Sequence, residues 1–422
     1  MFVDFGMACR AGAMYDSREM SEEPMSSRRD FVRTLSMGSL TAASSLGAPQ
    51  GGSQSGKKIR MAVVGGGFGS SFHWHEHPQC VVTAVTDLYA VRRTKLRDAY
   101  RCDNVYDSLE DMLAKRNDLD AIAIFSQAPA HVKHVKMCME RGLHVVSAVP
   151  ACMSLEEADV LREVKRKTGR HYMMAESSYY RQQCILARDL YKKGGFGNIF
   201  YTECEYYHDF DFDQRLNSKN SLYYNPDGSN SWRQGLPPMH YPTHSLAFVT
   251  GVTGERITSV SCLGMGDREK IARLKTNPYK NPFFDEFALM RTDKGHMVRH
   301  NECRQIASPE TERAQWFGEK GTFLMERRGV HPDTWHPRGG KPEKANVPNY
   351  WMSDMLPPNM RHESGHGGSA VFISAEFINA LIADREPEVD LSMALAITVP
   401  GIIAHQSALK NGETMKVTQF DL

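Results

Sequence analysis

Two histidines, His240 and His244, stand four residues apart in the stretch GLPPMHYPTHSLAF, with Tyr241 and Pro242 among the residues between them. On one helical face such a pair can hold a metal ion, but the metalloprotease arrangement also needs a glutamate next to the first histidine, and Tyr241 stands there. Proline fits the first turn of a helix, where its missing N–H costs nothing. Pro242 therefore predicts a helix running through Ser245, Leu246, Phe248 and Val249, with His240 upstream of it. His244, at the start of that helix, is either a general base or a packed core histidine. An imidazole with an ordinary pKa of about 6.5 can accept and return a proton near neutrality.

A second chemistry is written in VVGGGFGSS. Gly65 and Gly67 occupy the first two positions of G-x-G-x-x-G, Phe68 and Gly69 follow, and Ser70 stands at the third glycine position. The first glycine permits a tight turn, the second lets the backbone approach a pyrophosphate, and the third tolerates a small residue. A strand precedes the turn and a helix is expected after it. Asp87 ends the next strand, where a carboxylate accepts hydrogen bonds from ribose hydroxyls and repels a 2′-phosphate, so NAD is expected rather than NADP. Ser126, His131, Ala148 and Glu176 are assigned to the same cofactor site. In HWHEH (73–77) only His73 and His77 can share a helical face, and they read as solvated or substrate-facing, so no metal ligand is expected.

Other residues can serve a substrate. Tyr206 and His208 alternate along one strand and share a face, as hydroxyl-binding groups or a second acid/base, with sheet packing as the alternative. Tyr180 and Arg181 fall where the chain crosses between domains, a usual place for ligand contacts. Tyr180 joins His244, Tyr206 and His208 as a catalytic candidate, while Arg181, His240, Tyr241 and His366 of SGHGGS are candidates for substrate binding. Trp232 and Arg233 lie over cofactor or sugar, or anchor a loop.

The elements that must position these groups follow from periodicity. From Lys57, KIRMAVV, CVVTAVTD, DAIAIFS and HVVSAVP read as short apolar strands; VRRTKLRDAY, SLEDMLAKR, HVKHVKMCMERG and SLEEADVLREVKRKTG read as helices between and after them. That alternation predicts a doubly wound parallel sheet, a Rossmann domain, over residues 57–176. Beyond it, a helix QQCILARDLYKKGG, long strands (NIFYTECEYYHDF, RITSVSCLG, FFDEFALMR, HMVRHNECR, GTFLMER), a polar Pro-rich loop and two terminal helices predict an α+β domain over 177–422 with a large, open, mainly antiparallel sheet.

Composition narrows the partners. Fifty-one basic residues against fifty acidic ones leave a formal charge of +1, which argues against nucleic acid. No apolar run is read as approaching the roughly 18 residues of a membrane span, so a soluble protein is expected. The nine cysteines are scattered without C-x-x-C and read as buried thiols. Residues 1–56 carry Arg28 and Arg29, then Phe31, a weakly apolar stretch and a Gly/Ser/Gln-rich linker. This resembles a twin-arginine export signal, implies a periplasmic destination after folding with cofactor, and makes Met25 a plausible initiator.

IRMAVVGGGFG, the run from AIAIFS to SLEEADVL, YYRQQCILARDLYKKGGFGNI and the terminal AEFINALIADREPEVDLSMALAITVPGIIAHQSA together resemble the Gfo/Idh/MocA family of glucose–fructose oxidoreductase and inositol dehydrogenase. The resemblance implies a Rossmann domain, a second domain whose open sheet carries a sugar site, NAD as cofactor and homo-oligomers through that sheet. It also implies hydride transfer between NAD and a ring hydroxyl, with His244 as base. The family's Glu-Lys-Pro is here Ala148, Val149, Pro150, so its lysine is missing, and the family's Asp-x-x-x-His has become His240 and His244. YPTH, SWR, YYHD and GHGG resemble islands of the NAD-dependent glycosidases of glycoside hydrolase family 109. That implies an alternative in which NAD is recycled: transient oxidation at C3, elimination at C1, addition of water and reduction. A non-catalytic sugar- or NAD-binding protein is the third class.

Overall fold

The computed structural model describes residues 58–208, 223–266, 277–306 and 310–420. The twin-arginine stretch with Arg28 and Arg29, Met25, the linker and Asp209 of YYHD lie outside the described residues.

Strands β1 (Ile59–Val64), β2 (Cys80–Thr86), β3 (Val105–Tyr106), β4 (Ala121–Ile124), β5 (His144–Ser147) and β6 (Tyr172–Met174) form one parallel sheet in the order β3-β2-β1-β4-β5-β6. This is the doubly wound order, with its switch point between β1 and β4. β4 is buried along its whole length, which is why its sequence is continuously apolar and does not alternate. Helices α1 (Ala90–Tyr100), α2 (Leu109–Lys115), α3 (His131–Met139) and α4 (Leu155–Thr168) connect and flank the strands. Ser108 and Ser154 cap α2 and α4 by accepting hydrogen bonds from the amides of Asp111 and Glu157.

One expectation fails here. No α-helix follows the glycine turn; two single-turn 3-10 segments, Gly69–Ser71 and Trp74–Glu76, take its place. Phe72 and Trp74 are drawn into the core, and the Tyr100 hydroxyl donates to the carbonyls of Gly69 and Phe72, which a helix would have used internally. Pro78 then prevents continuation.

The chain continues through α5 (Gln182–Lys192) into β7 (Ile199–Tyr207), α6 (Thr243–Thr253), β8 (Ile257–Met265), β9 (Asp285–Thr292), β10 (Met297–Cys303), β11 (Thr311–Gly318), β12 (Gly321–Leu324), β13 (Thr334–Pro337), β14 (Glu343–Lys344), α7 (Ser369–Ile382), α8 (Leu391–Leu409) and β15 (Met415–Lys416). Among the described residues nine of these strands make one sheet, ordered β14-β13-β12-β11-β7-β10-β9-β8-β15. Every pairing in it is antiparallel except β7 with β10. α6, buried on all sides, lies on this sheet over β7 and β11, and the indole N–H of Trp316 on β11 donates to the Phe248 carbonyl at 2.9 Å.

Six strands escaped the sequence reading, the short β3, β6 and β15 and also β11, β13 and β14. β11 reads TERAQWFG, and its charges hid it; Arg313 is buried only because Glu205 on β7 accepts its Nε–H at 2.7 Å. β13 and β14 fall inside what read as a polar loop. α8 also corrects the statement on apolar runs: its nineteen residues are long and apolar enough to cross a membrane, yet they are mostly buried against β8 and α6 as a core helix. The eight described cysteines are free and buried, as read.

Candidate active site

Register on the sheet sets up the site. Glu302 on β10 sits opposite Glu286 on one side and Tyr206 on the other, and Tyr206 in turn sits opposite Glu312. Three carboxylates and a phenol thus form a row across four strands on the inner face. Each carboxylate is partnered: Glu286 by His405 at 2.7 Å, Glu302 by His300 at 2.8 Å, and Glu312 by Arg181, whose Nη2 and Nε lie 2.6 and 2.9 Å from its oxygens. A buried charge without such a partner would be costly. α6 brings His244 onto this row. Its ring stacks on Tyr206 with centroids 5.3 Å apart, and Tyr241 meets it edge-on at 5.1 Å.

Behind His244, Glu176 accepts at 2.7 Å from His244 Nδ1, and its side chain is fully buried. Burial by itself lowers the imidazole's affinity for a proton, but the Glu176 charge and hydrogen bond, with Glu312 and Tyr241 adding, lift His244 to about 10. Glu312 goes the other way. Burial raises it, yet Arg181, His244 and the hydrogen bonds from Arg181 and Ser178 hold it at about 2. Burial also resists ionisation of Tyr241, but Arg233 and His244 outweigh it and draw the phenol below its usual value. Tyr206 is pushed well up, first by burial and then by Tyr241 and Glu312, and stays a phenol.

His244, Tyr206, Tyr241 and Glu312 line a cleft of about 1320 Å3 that reaches the glycine turn. Gly65 adopts φ +95°, and a Cβ there would fall 2.1 Å from the Phe125 carbonyl oxygen, so the turn demands glycine. At Gly67 the nearest atom to a Cβ would be 3.6 Å away, on the Arg92 side chain. The protein leaves room there, and the missing side chain serves whatever lies against the backbone. Asp87, at the end of β2, lines the same cleft with its oxygens held by the amides of Gly66 and Tyr89, each at 2.8 Å. Open glycine backbone, a fixed carboxylate at the ribose position and a cleft of this size fit a dinucleotide.

Residues 59–176 match the profile described as oxidoreductase family, NAD-binding Rossmann fold. The chain carries the Gfo/Idh/MocA NAD-binding domain. Solved structures of low identity share the fold of both domains. An inositol dehydrogenase homolog from Azotobacter vinelandii, solved with NADH and myo-inositol, superposes with a TM-score of 0.66 at 19% identity, over 85% of this chain and 98% of that one. Among curated relatives, a glycosyl hydrolase family 109 protein of Streptomyces coelicolor is 22% identical over 86% of this chain and 83% of its own length. An alpha-N-acetylgalactosaminidase of Bacteroides fragilis is 29% identical over 37% of this chain and 38% of its own length.

Set on this frame, the residues named from sequence separate. Gly65, Gly67, Phe68, Asp87, Ser126, His131, Ala148, Trp232, Arg233, Tyr206, His208, Tyr241, His244 and His366 all line the cleft. His131 spans the carbonyls of Ser126 and Pro150 at 2.9 Å each, and the Arg233 guanidinium lies 4.5 Å over the Trp232 ring. His366 rests its ring edge-on against Phe68 at 4.9 Å. Gly69 and Ser70 do not line the cleft; Gly69 packs so closely that a Cβ would lie 2.9 Å from the Phe125 ring.

Four assignments move. Glu176, read as a cofactor ligand, is the partner of His244. Arg181, read as a substrate ligand, is occupied behind the cleft wall by Glu312. Tyr180, read as catalytic, stacks on Phe372 at 6.0 Å, its buried hydroxyl away from the cleft and without a hydrogen-bond partner. His240, read as a substrate ligand, packs edge-on against His405 at 5.2 Å, and burial, with His405 and Arg304 adding, holds it down at about 3. Sequence reasoning missed Glu312 and Glu310. The signal was the period-two alternation of Glu312, Ala314 and Trp316 on β11.

Proposed function

We propose that the protein carries out NAD-dependent oxidation and reduction at a ring hydroxyl of a sugar or glycoside. The observation that carries this reading is the buried Glu176–His244 pair opening onto the same cleft as the dinucleotide turn. Bound NAD supplies a hydride acceptor, and Gly65, Gly67 and Asp87 would hold it. The chain must then manage the hydroxyl proton and the charge left on its oxygen. The family's lysine is absent and Val149 stands in its place on the cleft wall, so another cation is needed. His244, lifted to about 10, is that cation at neutral pH. An imidazolium cannot take a second proton. The group able to accept is Tyr241 once its own proton has passed to solvent, and the positive charges of Arg233 and His244 beside it favour that ionised form. His244 thus stabilises the developing alkoxide and Tyr241, ionised beforehand, takes its proton, which revises the sequence assignment of the base. Tyr206 remains a hydrogen-bond donor.

A second reading rests on His208, whose Nδ1 lies 3.1 Å from Glu310 on the cleft wall. A further acid/base there suits a glycosidase that works by transient oxidation. A ring ketone acidifies the neighbouring C–H, the second base removes that proton, the anomeric substituent leaves, water adds and the ketone is reduced, with no net redox change. The near-full-length likeness to family 109 proteins supports it. One assay separates the two. With an aryl glycoside, a dehydrogenase accumulates NADH in proportion to oxidised sugar, whereas the recycling enzyme releases aglycone over many turnovers without NADH. Inactivity towards a broad panel of sugars and glycosides, with NAD bound, would leave a binding protein and sink both readings.

We further propose export by the twin-arginine route, supported by Arg28 and Arg29 in their sequence setting, and self-association through the outer face of the large sheet. There Leu263, Phe287 and Leu289 on β8 and β9 are 58, 41 and 57% exposed, an apolar patch that a second copy would cover.

A further inference from the structure

Away from the cleft floor, three ligand-type side chains converge from segments almost three hundred residues apart. His73 and Glu76 come from the 3-10 turn after the glycine loop; His362 comes from the chain between β14 and α7. The ligand atoms of all three lie within 4.8 Å of one another. His73 Nδ1 is 2.9 Å from Glu76 Oε1, and His362 Nε2 is 2.6 Å from Glu76 Oε2.

The second nitrogen of His362 decides what the first can do. Nδ1 lies 2.9 Å from the Glu363 carbonyl oxygen, which can only accept, so the ring N–H belongs there. Nε2 then faces a carboxylate oxygen, and either a second ring proton or a metal ion must lie between the two. An imidazole donating one N–H to a backbone carbonyl while presenting the other nitrogen is the usual arrangement of a metal-bound histidine. The segment is also held from outside: the His73 amide donates to Ser374 Oγ at 2.9 Å, and the Asn359 side-chain amide donates to the Glu76 carbonyl.

We propose that His73, Glu76 and His362 bind one divalent transition-metal ion of the zinc class. Two imidazoles and a carboxylate suit zinc, cobalt or nickel rather than calcium or magnesium, which favour oxygen ligands. Metal–ligand bonds of about 2.0–2.2 Å need the three atoms about 3.3 Å apart, so the ring-to-carboxylate contacts open by about half an ångström on binding. All three side chains are half-buried, leaving water to complete the coordination. The ion would be structural. It ties the glycine-loop turn, which carries Phe68, to the segment that delivers His366 onto Phe68 in the cleft wall.

The test uses the full chain, stripped with a chelator and then titrated with Zn2+ by calorimetry and with Co2+ by visible absorption. One tightly bound equivalent, ligand-field bands of histidine-bound cobalt and a rise in Tm are expected. His73→Ala and His362→Ala should each weaken binding by about ten- to a hundredfold, and Glu76→Gln, which keeps the side chain's shape, should do the same. Circular dichroism and NAD titration check that each variant is folded. No stoichiometric binding, or binding that survives in the folded His73→Ala/His362→Ala double variant, overturns the proposal. In that case a protonated His362 paired with Glu76 is what holds the two segments.

Discussion

Glu176 Oε1 lies 2.7 Å from His244 Nδ1, and Glu176 is wholly cut off from solvent. Few relationships in the molecule bear more directly on its chemistry, because this one decides the charge that His244 carries into the cleft. His244→Ala should keep NAD binding, since the glycine turn and Asp87 lie on the other sheet, and should lose hydride transfer by about 10²- to 10⁴-fold. Equal activity in the variant, in stopped-flow measurement of NADH, would return His244 to a packing role.

The same pair sets a pH dependence. The folded pKa of His244, about 10, is above its ordinary value, so its contribution to stability is complete below about 6.5 and is lost as pH rises through about 10. Activity that needs the imidazolium falls over the same upper limb. Glu176→Gln removes the charge, and the limb should move down towards neutrality; an unmoved limb in a pH–rate profile would detach it from this pair. Glu312 has the opposite sign. Its depressed pKa contributes stability above the ordinary carboxylate range, lost as pH falls through about 2.

Asp87 should set the cofactor choice. Its carboxylate is already fixed by two backbone amides, so it meets a ribose without reorganising. Asp87→Ala should weaken NAD binding by about tenfold, the worth of one charge-assisted hydrogen bond, and narrow the gap between NAD and NADP. Fluorescence titration with both cofactors measures it. Wild type binding NADP as tightly as NAD would show that this carboxylate does not face the ribose.

If the apolar patch on β8 and β9 joins two copies, Leu289→Asp should convert the protein to monomers in sedimentation velocity while leaving Tm nearly unchanged, because Leu289 is exposed in the single chain. A wild-type monomer would refute the interface.

For export, Arg28→Lys with Arg29→Lys should leave folded protein in the cytoplasm of a bacterial host. Fractionation showing unchanged export would mean that the segment is not a twin-arginine signal.

How much was legible in the sequence depends on the range of the forces involved. The parallel sheet, its capped helices, the glycine turn and Asp87 are local matters of apolar runs, capping serines and short spacings, and they can be read from the chain one stretch at a time. Pro242 announced α6 and the separation of His240 from His244 for the same reason. What only the tertiary structure decided is which polar groups face one another. β11 looks too charged for a strand until Glu205 neutralises Arg313 and Arg181 neutralises Glu312, partners from more than a hundred residues away. Whether His244 holds a proton depends on Glu176, 68 positions earlier, because a buried carboxylate outweighs the ring's own burial. Residue types and spacing thus named the reactive groups, whereas their protonation came from neighbours that chain folding alone brings within 3 Å.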